Sequence, residues 1–180
     1  MKRVSKDEWL SAALEALETG GVDAVRIDHL AKRLRISRSG FYWHFKDREN
    51  LLRDILQYWG DEYNKVVVRR IGLLKGTPKE RLAKLMEMIE EYDLTRYEIA
   101  IRAWARHDPL ARDAVAKVNE VRLELIRSLF SEMGFEADEL EMRTMLFVCY
   151  HTWEKPMFLD IPQTKLAKLR KLRLEFLTRW

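Results

Sequence analysis

The sequence predicts an all-α fold, and three observations lead to that class. Seven Gly and four Pro occur among 180 residues, so chain reversals should be few and the segments between them long. Apolar residues recur three and four positions apart along most of the chain, which is the spacing of one helical face. Start signals, such as Ser5 with Glu8 and Asp108 before Pro109, divide the chain into about nine helices.

Composition limits the classes of function. Apolar residues make up 47% of the chain and charged residues 34%, as expected of a globular protein with a core. The single cysteine, Cys149, excludes an internal disulfide and any site built from several cysteines. The four histidines form no His-Glu-x-x-His pair, and neither a Gly-rich phosphate loop nor a catalytic triad signature is recognisable. We therefore expect no metal, no cofactor and no enzymatic activity.

The first predicted helix covers about Ser5 to Thr19, with Ser5 as its N-cap and Glu8 completing a capping box. Trp9, Ala13 and Leu17 mark its buried face, and Gly20-Gly21 end it. The chain carries neither a signal peptide nor an apolar run long enough to span a bilayer, so a cytoplasmic location without membrane contact is expected.

A helix-turn-helix is predicted between Ile27 and Leu52. Apolar residues at helical spacing mark a second helix up to Leu34, and Arg35-Ile36-Ser37 then break the pattern. A short third helix, about Arg38 to His44, should be anchored to the core by Phe41 and Phe45 and capped by Ser37. Asp47 then caps a fourth helix. In such a motif the second of the two short helices lies in the major groove of DNA.

This stretch resembles the DNA-binding domain of the tetracycline-repressor (TetR) family of transcriptional regulators. The resemblance rests on the order Phe41-Tyr42-Trp43-His44-Phe45-Lys46-Asp47, followed by Glu49 and Leu51-Leu52. It covers the first third of the chain closely, and the rest resembles the family in length and helical pattern. It implies a homodimeric, ligand-responsive repressor that binds a palindromic operator in double-stranded DNA.

One position departs from the family pattern. The family usually has Gly at the first position of the turn, where this chain has Arg35. A turn that needs a positive φ there would cost roughly 1 kcal/mol for a residue with a Cβ atom. Either the turn differs slightly, or Arg35 is retained because it adds positive charge near phosphate.

Positive charge is concentrated on this segment. Between Arg26 and Arg53 there are eight basic and three acidic residues, which gives +5, whereas the whole chain carries +4. A basic patch on a helix-turn-helix is typical of a DNA-binding protein, although a merely solvated charged face has the same composition. The helix-turn-helix geometry and the resemblance together predict these DNA contacts: Arg26, Ser37, Arg38, Ser39, Tyr42, Trp43, His44 and Lys46.

Six helices, the fourth to the ninth, are predicted after the short third helix, and two of them should form a dimer interface. The fourth to seventh cover about 47–71, 78–92, 95–106 and 109–133, and the fourth is a candidate lever between the two parts of the protein. The eighth, about 137–155, contains the run Met145–Tyr150, which is apolar on every side. Such a helix should pack on its own core and on a second subunit as well. Helices 8 and 9 (about 162–180) are therefore predicted to pair with their symmetry mates through Met145, Phe147, Val148, Phe176 and Leu177.

The resemblance also implies a small-molecule pocket in the second part of the chain. Candidate lining residues are Tyr97, Arg102, Trp104, Phe147, Tyr150 and His151, and each has the alternative of being ordinary core or interface. An inward-pointing Arg102 would need an anionic partner: Glu87, Glu91 or a ligand carboxylate.

The predicted organisation is a helix-turn-helix DNA-binding head of three helices, residues 1–46, and a helical regulatory and dimerisation body, residues 47–180. The alternative is an all-helical small-molecule-binding module or enzyme that uses a similar head for other contacts. The sequence leaves open the operator, the effector, the regulated genes and whether transcription is repressed or activated.

Overall fold

The computed structural model describes residues 4–63, 67, 69–157 and 160–179, and all regular structure in these ranges is helical. The α-helices are α1 Lys6–Gly20, α2 Ile27–Leu34, α3 Arg48–Tyr63, α4 Arg69–Leu73, α5 Pro78–Glu91, α6 Glu98–Ala105, α7 Pro109–Glu132, α8 Ala137–Met157 and α9 Gln163–Thr178. Two 3₁₀ helices cover Val22–Ala24 and Arg38–Trp43. The predicted all-α class is confirmed. The fourth helix was predicted over about residues 47–71, and within that range residues 64–66 and 68 lie outside the described residues.

The chain forms two compact units. The first comprises Met1–Glu62 and Arg96–Lys117, and the second comprises Tyr63–Thr95 and Val118–Trp180. The first unit therefore contains the predicted helix-turn-helix together with α3 and α6. The functional boundary predicted between residues 46 and 47 stays a prediction.

Helix starts follow the local signals in the sequence. Ser5 and Glu8 form the predicted capping box, in which the Glu8 amide donates to Ser5 Oγ at 3.2 Å. Thr77 and Glu80 form a second capping box at the start of α5. Asp108 Oδ1 accepts from the Leu110 amide at 2.8 Å. These side chains satisfy amides that the first turn of a helix leaves without partners.

An aromatic cluster forms the core beneath the turn of the first unit. Trp9 of α1 meets Phe41 edge-on at 5.4 Å between ring centroids, and Phe41 stacks on Phe45 at 5.1 Å. All three side chains are at most 2% exposed. The burial of Phe41 and Phe45 confirms the prediction that they anchor the short helix. The ring of α1 that packs against Phe41 is Trp9.

The short helix itself differs from the prediction. It is a 3₁₀ helix over Arg38–Trp43, in which the Gly40 amide donates to the carbonyl of Ser37 at 3.1 Å. With only six residues, tight i→i+3 bonding is favoured because few i→i+4 bonds can form. Ser37 occupies the N-cap position but its side chain caps no amide, since its hydroxyl lies 2.7 Å from that of Ser39. The predicted capping bond was therefore wrong.

Helices α5, α7, α8 and α9 share the core of the second unit, which is centred on Phe130. Phe135 and Phe147 both pack edge-on against Phe130, at 6.1 and 6.4 Å between centroids. Phe147 and Leu177 are 2% and 8% exposed within this core. The prediction that these two side chains contribute to a dimer interface was wrong, because their own subunit already buries them.

In the turn between α2 and the 3₁₀ helix, residue 35 has a left-handed backbone conformation. Gly, which the family usually has at this position, adopts that conformation easily. Arg35 has φ 56° and ψ 44°, and the Ile36 amide closes the helix end by donating to the carbonyl of Ala31 at 3.0 Å. The turn is thus not altered to accommodate Arg35. Arg35 instead adopts a left-handed backbone conformation that crowds its own Cβ atom.

Replacing Arg35 by Gly should therefore raise the free energy of unfolding by about 0.5–1 kcal/mol, because the relieved strain exceeds the extra chain entropy of Gly in the unfolded state. Urea unfolding followed by circular dichroism measures this change. Arg35→Ala is the matched control, since it removes the same charge and keeps the Cβ atom. An equal gain in both variants would assign the effect to charge and not to the backbone.

Candidate functional site

The outer face of the turn presents most of the predicted DNA-contacting residues to solvent. Trp43 is 87% exposed and Tyr42 58% exposed, although the neighbouring Phe41 is completely buried. The exposed members of the predicted set are Arg26, Ser37, Arg38, Ser39, Tyr42, Trp43 and Lys46. An aromatic pair held at the surface by a rigid core, and flanked by cations, is a surface suited to a polyanionic partner with apolar groups.

His44 is placed differently from the rest of the set. Its side chain is half-buried, and Nε2 lies 2.9 Å from the carbonyl oxygen of Val4. The ring therefore ties the start of the chain to the end of the 3₁₀ helix. Its predicted contact with DNA stays a prediction, and it would have to be made alongside this bond.

Arg38, a residue predicted to read bases, carries an intramolecular partner. Its Nε lies 2.6 Å from Oδ1 of Asp28 on α2, and both side chains are at least half exposed. Surface ion pairs of this kind contribute little to stability, typically below about 1 kcal/mol. Asp28 can thus release Arg38 to another anion at low cost. Sequence reasoning counted Asp28 only as a charge in the window and missed this role.

The N-terminus of α3 adjoins the same face. Asp47 Oδ1 accepts from the Asn50 amide at 2.8 Å, and the Lys46 amide donates to Asn50 Oδ1 at 3.1 Å. This confirms Asp47 as the cap and leaves the Lys46 ammonium group exposed beside the helix start. Arg48, in contrast, donates to the carbonyls of Val25 and Val22 at 2.7 and 2.6 Å. It therefore serves the fold of the head.

The six predicted pocket residues fall into both compact units. Tyr97, Arg102 and Trp104 belong to the first unit, and Phe147, Tyr150 and His151 to the second. Their joint role in one pocket stays a prediction. Trp104 is buried, and its Nε1 donates to Asp108 Oδ2 at 2.9 Å.

The anionic partner of Arg102 is Glu98, one turn earlier on α6. Arg102 Nη2 lies 2.6 Å from Glu98 Oε1, and the Glu98 side chain is completely buried. Glu98 was not among the candidate partners, which were Glu87, Glu91 and a ligand carboxylate. The pair has i, i+4 spacing, which brings two side chains together on one helical face.

Within the second unit a cleft of about 310 Å³, including its open mouth, lies among α5, α7 and α8. Its walls are Ile89, Thr95, Arg122, Ile126, Phe147, Val148, His151 and Thr152. Of the predicted residues, Phe147 and His151 contribute. Tyr150 instead faces the guanidinium of Arg173, 4.0 Å from its ring centroid. Arg122 was missed, because its position in the long α7 gives no sign that it is 4% exposed.

His151 is the most perturbed titratable group described in this cleft. Its Nδ1 lies 2.7 Å from the carbonyl oxygen of Phe147, and its Nε2 is buried without a hydrogen-bond partner among the described residues. Burial, followed by the nearby charge of Arg173, lowers the pKa of His151 from 6.5 to about 3. The imidazole is therefore neutral at physiological pH.

In the comparison with known proteins, the family model matches the head. Residues 10–55 match the model of the bacterial regulatory proteins of the tetR family. The tetracycline repressor protein class G of Vibrio anguillarum is 35% identical over 52 residues, which cover 29% of this chain and 25% of that protein. The chain spans about a quarter to two fifths of the length of the curated relatives it matches.

Solved structures extend the likeness to the whole chain. A TetR transcriptional regulator from Legionella pneumophila has a TM-score of 0.77 at 15% identity, covering 98% of this chain and 99% of that one. AibR, solved in complex with isovaleryl coenzyme A and operator DNA, has a TM-score of 0.73 at 17% identity, with 94% and 96% covered. The resemblance to the TetR family is thereby confirmed, in the head by sequence and elsewhere by fold.

The described part of the chain has neither a membrane-spanning helix nor a cluster of metal ligands. None of its helices combines the length and apolar character that a membrane crossing requires. Likewise, no three of its His, Cys, Asp and Glu side chains gather as metal ligands would.

The buried His151 should make stability depend on pH. Below about pH 6.5 the unfolded chain binds a proton at this residue that the folded chain rejects down to about pH 3. The contribution of His151 to the free energy of unfolding therefore falls as pH is lowered through that window, by up to about 1.4 kcal/mol per pH unit. Urea unfolding at pH 7, 6, 5 and 4 should show a shallower decline for His151→Gln than for the wild type. Parallel curves would contradict the assignment.

Proposed function

We propose that this protein is a cytoplasmic, DNA-binding transcriptional regulator of the TetR type, which acts as a ligand-responsive repressor. The observation that carries this proposal is the exposed face of the turn, where Tyr42 and Trp43 stand among cations on a segment that matches the family in sequence. Among the described residues, no comparable surface supports an enzyme. A DNA-binding assay distinguishes the proposal from the alternative of a binding module that uses the head for other contacts.

In this proposal the DNA-contacting residues fall into two groups, those that contact base edges and those that contact phosphates. Arg38, Ser39 and Trp43 approach base edges, since they lie on the short helix that enters the major groove. Tyr42, Arg26 and Lys46 contact phosphates, and Lys46 gains from the amides at the start of α3, which also attract an anion. Arg38 leaves Asp28 when it binds DNA, so DNA competes with an internal carboxylate.

A second subunit would cover an exposed apolar stripe on α8 and α9. On α8 the stripe comprises Met142, Met145, Leu146, Cys149, Trp153 and Met157, and on α9 it comprises Leu172 and Phe176. The large apolar side chains are 45% to 68% exposed, at the spacing of one helical face. Two copies related by a two-fold axis would bury both stripes and present two heads to an inverted-repeat operator.

The effector would bind in the second unit and act by favouring one state of the dimer. A ligand changes operator affinity only if it binds the two states unequally, and a hundredfold preference corresponds to about 2.7 kcal/mol of coupling. A protein of this fold has been solved with both isovaleryl coenzyme A and operator DNA, which supports a regulator that responds to a small molecule.

The DNA contact of Lys46 is tested through its salt dependence. With the intergenic DNA beside its own gene as probe, Lys46→Ala should weaken binding to all sequences alike and reduce the slope of log K against log salt by about 0.9, the loss of one phosphate contact. Asp28→Asn should tighten binding, because Arg38 is released and a repelling charge removed.

Lys75→Ala is the matched control, since it removes an exposed lysine outside the head. Gel shifts or fluorescence anisotropy between 50 and 300 mM salt, roughly the range where phosphate contacts dominate, give the slopes. An unchanged slope would remove Lys46 from the contacts, and a wild-type protein that binds no DNA would favour the binding-module alternative.

The dimer is tested by placing one charge on the stripe. Leu146→Glu should yield a helical monomer at micromolar concentration, because the buried carboxylate would lack a partner. Leu73→Glu is the matched control: Leu73 is 83% exposed on α4, outside the stripe. Light scattering reports the mass, and Cys149 reports the face itself, since its thiol should react with a disulfide reagent faster in the monomeric variant. A monomeric wild type would overturn this part of the proposal.

A further inference from the structure

His151 lines the cleft of the second unit, and its buried Nε2 has no hydrogen-bond partner among the described residues. We propose that the cleft binds a small, mostly apolar molecule ending in a hydroxyl, an alcohol or a phenol, whose O–H donates to Nε2 of His151. This inference rests on the proposed function, because it names the chemical class of the effector.

The hydrogen bonding of the imidazole fixes which kind of group is missing. Nδ1 lies 2.7 Å from a carbonyl oxygen, which can only accept, so the proton of the neutral ring must be on Nδ1. Nε2 therefore carries a lone pair and needs a donor. A carboxylate, an ether or a carbonyl group cannot supply one, whereas a hydroxyl can.

The surroundings disfavour meeting this need by protonating the ring. The residue is almost completely enclosed, and Arg173 and Arg170 add positive charge nearby, on α9. Arg122 of α7 lines the same cleft. A second proton on the ring would be a buried cation among guanidinium groups, so a neutral donor is the favourable partner.

The walls define the rest of the ligand. Ile89, Ile126, Phe147 and Val148 supply the apolar surface, and Thr152 is engaged by its own helix through a bond to the carbonyl of Val148 at 2.9 Å. The space of about 310 Å³ includes the open mouth of the cleft, so the enclosed part is small, and a ligand of one ring or a short chain would extend into the mouth.

A matched pair of ligands tests the inference on the unaltered protein. Calorimetry of the full chain without DNA should detect saturable binding of 4-methylphenol, and 4-methylanisole should bind at least about tenfold more weakly, because it leaves the buried acceptor unpaired. The imidazole ¹⁵N signal of Nε2 should shift with the phenol and stay unchanged with the ether.

Two variants test whether His151 causes the preference for 4-methylphenol over 4-methylanisole. His151→Leu should bind both ligands equally, and His151→Gln, which keeps an acceptor, should retain part of the preference. Equal binding of the pair by the wild type, or no binding of 4-methylphenol, phenol or benzyl alcohol at millimolar concentration, would overturn the inference and leave water as the occupant. Neither result bears on DNA binding, which the gel shift measures separately.

Discussion

The head of this protein depends on one aromatic cluster. A 3₁₀ helix of six residues cannot hold its own conformation in water, because so few hydrogen bonds do not offset the entropy of ordering it. Phe41 and Phe45, packed under Trp9, supply the missing free energy, and Arg48 fastens the adjoining loop by its two carbonyl bonds. The exposure of Trp43 follows, since consecutive residues of a tight helix cannot all face inward.

The charge of the head is less available than its composition suggests. Of the eight bases between residues 26 and 53, Arg48 is committed to backbone carbonyls, Arg33 pairs with Glu15, and Arg38 pairs with Asp28. The exposed pairs are weak and exchangeable, because water screens them and both side chains lose rotamer freedom. Fewer of these bases are therefore available for the proposed phosphate contacts than the net charge implies, and in that proposal Asp28 would tune how readily Arg38 joins them.

Helix α8 has two faces with different chemistry, and this explains why its sequence shows little periodicity. Its inner face carries Thr144, Phe147 and His151, all buried, and its outer face carries Met145, Leu146 and Cys149, all exposed. Apolar residues thus occur on both faces, and polar groups lie on the inner one. The cleft wall and the exposed stripe lie on the same helix, so in the proposed regulator a ligand that shifts α8 would also shift the surface that is proposed to meet a second subunit.

The sequence by itself determined the helices, most of their caps and the turn, because these depend on neighbours within about four residues. It also indicated the candidate contact face of the turn, since the order from Phe41 to Asp47 is a local pattern. Other features were decided by tertiary structure: the 3₁₀ geometry under Trp9, the pairing of Arg38 with Asp28, the bond of His44 to Val4, and the burial of Phe147, Leu177 and Arg122. Each depends on residues distant in the chain, and no local spacing shows which side of an apolar helix its own subunit will cover.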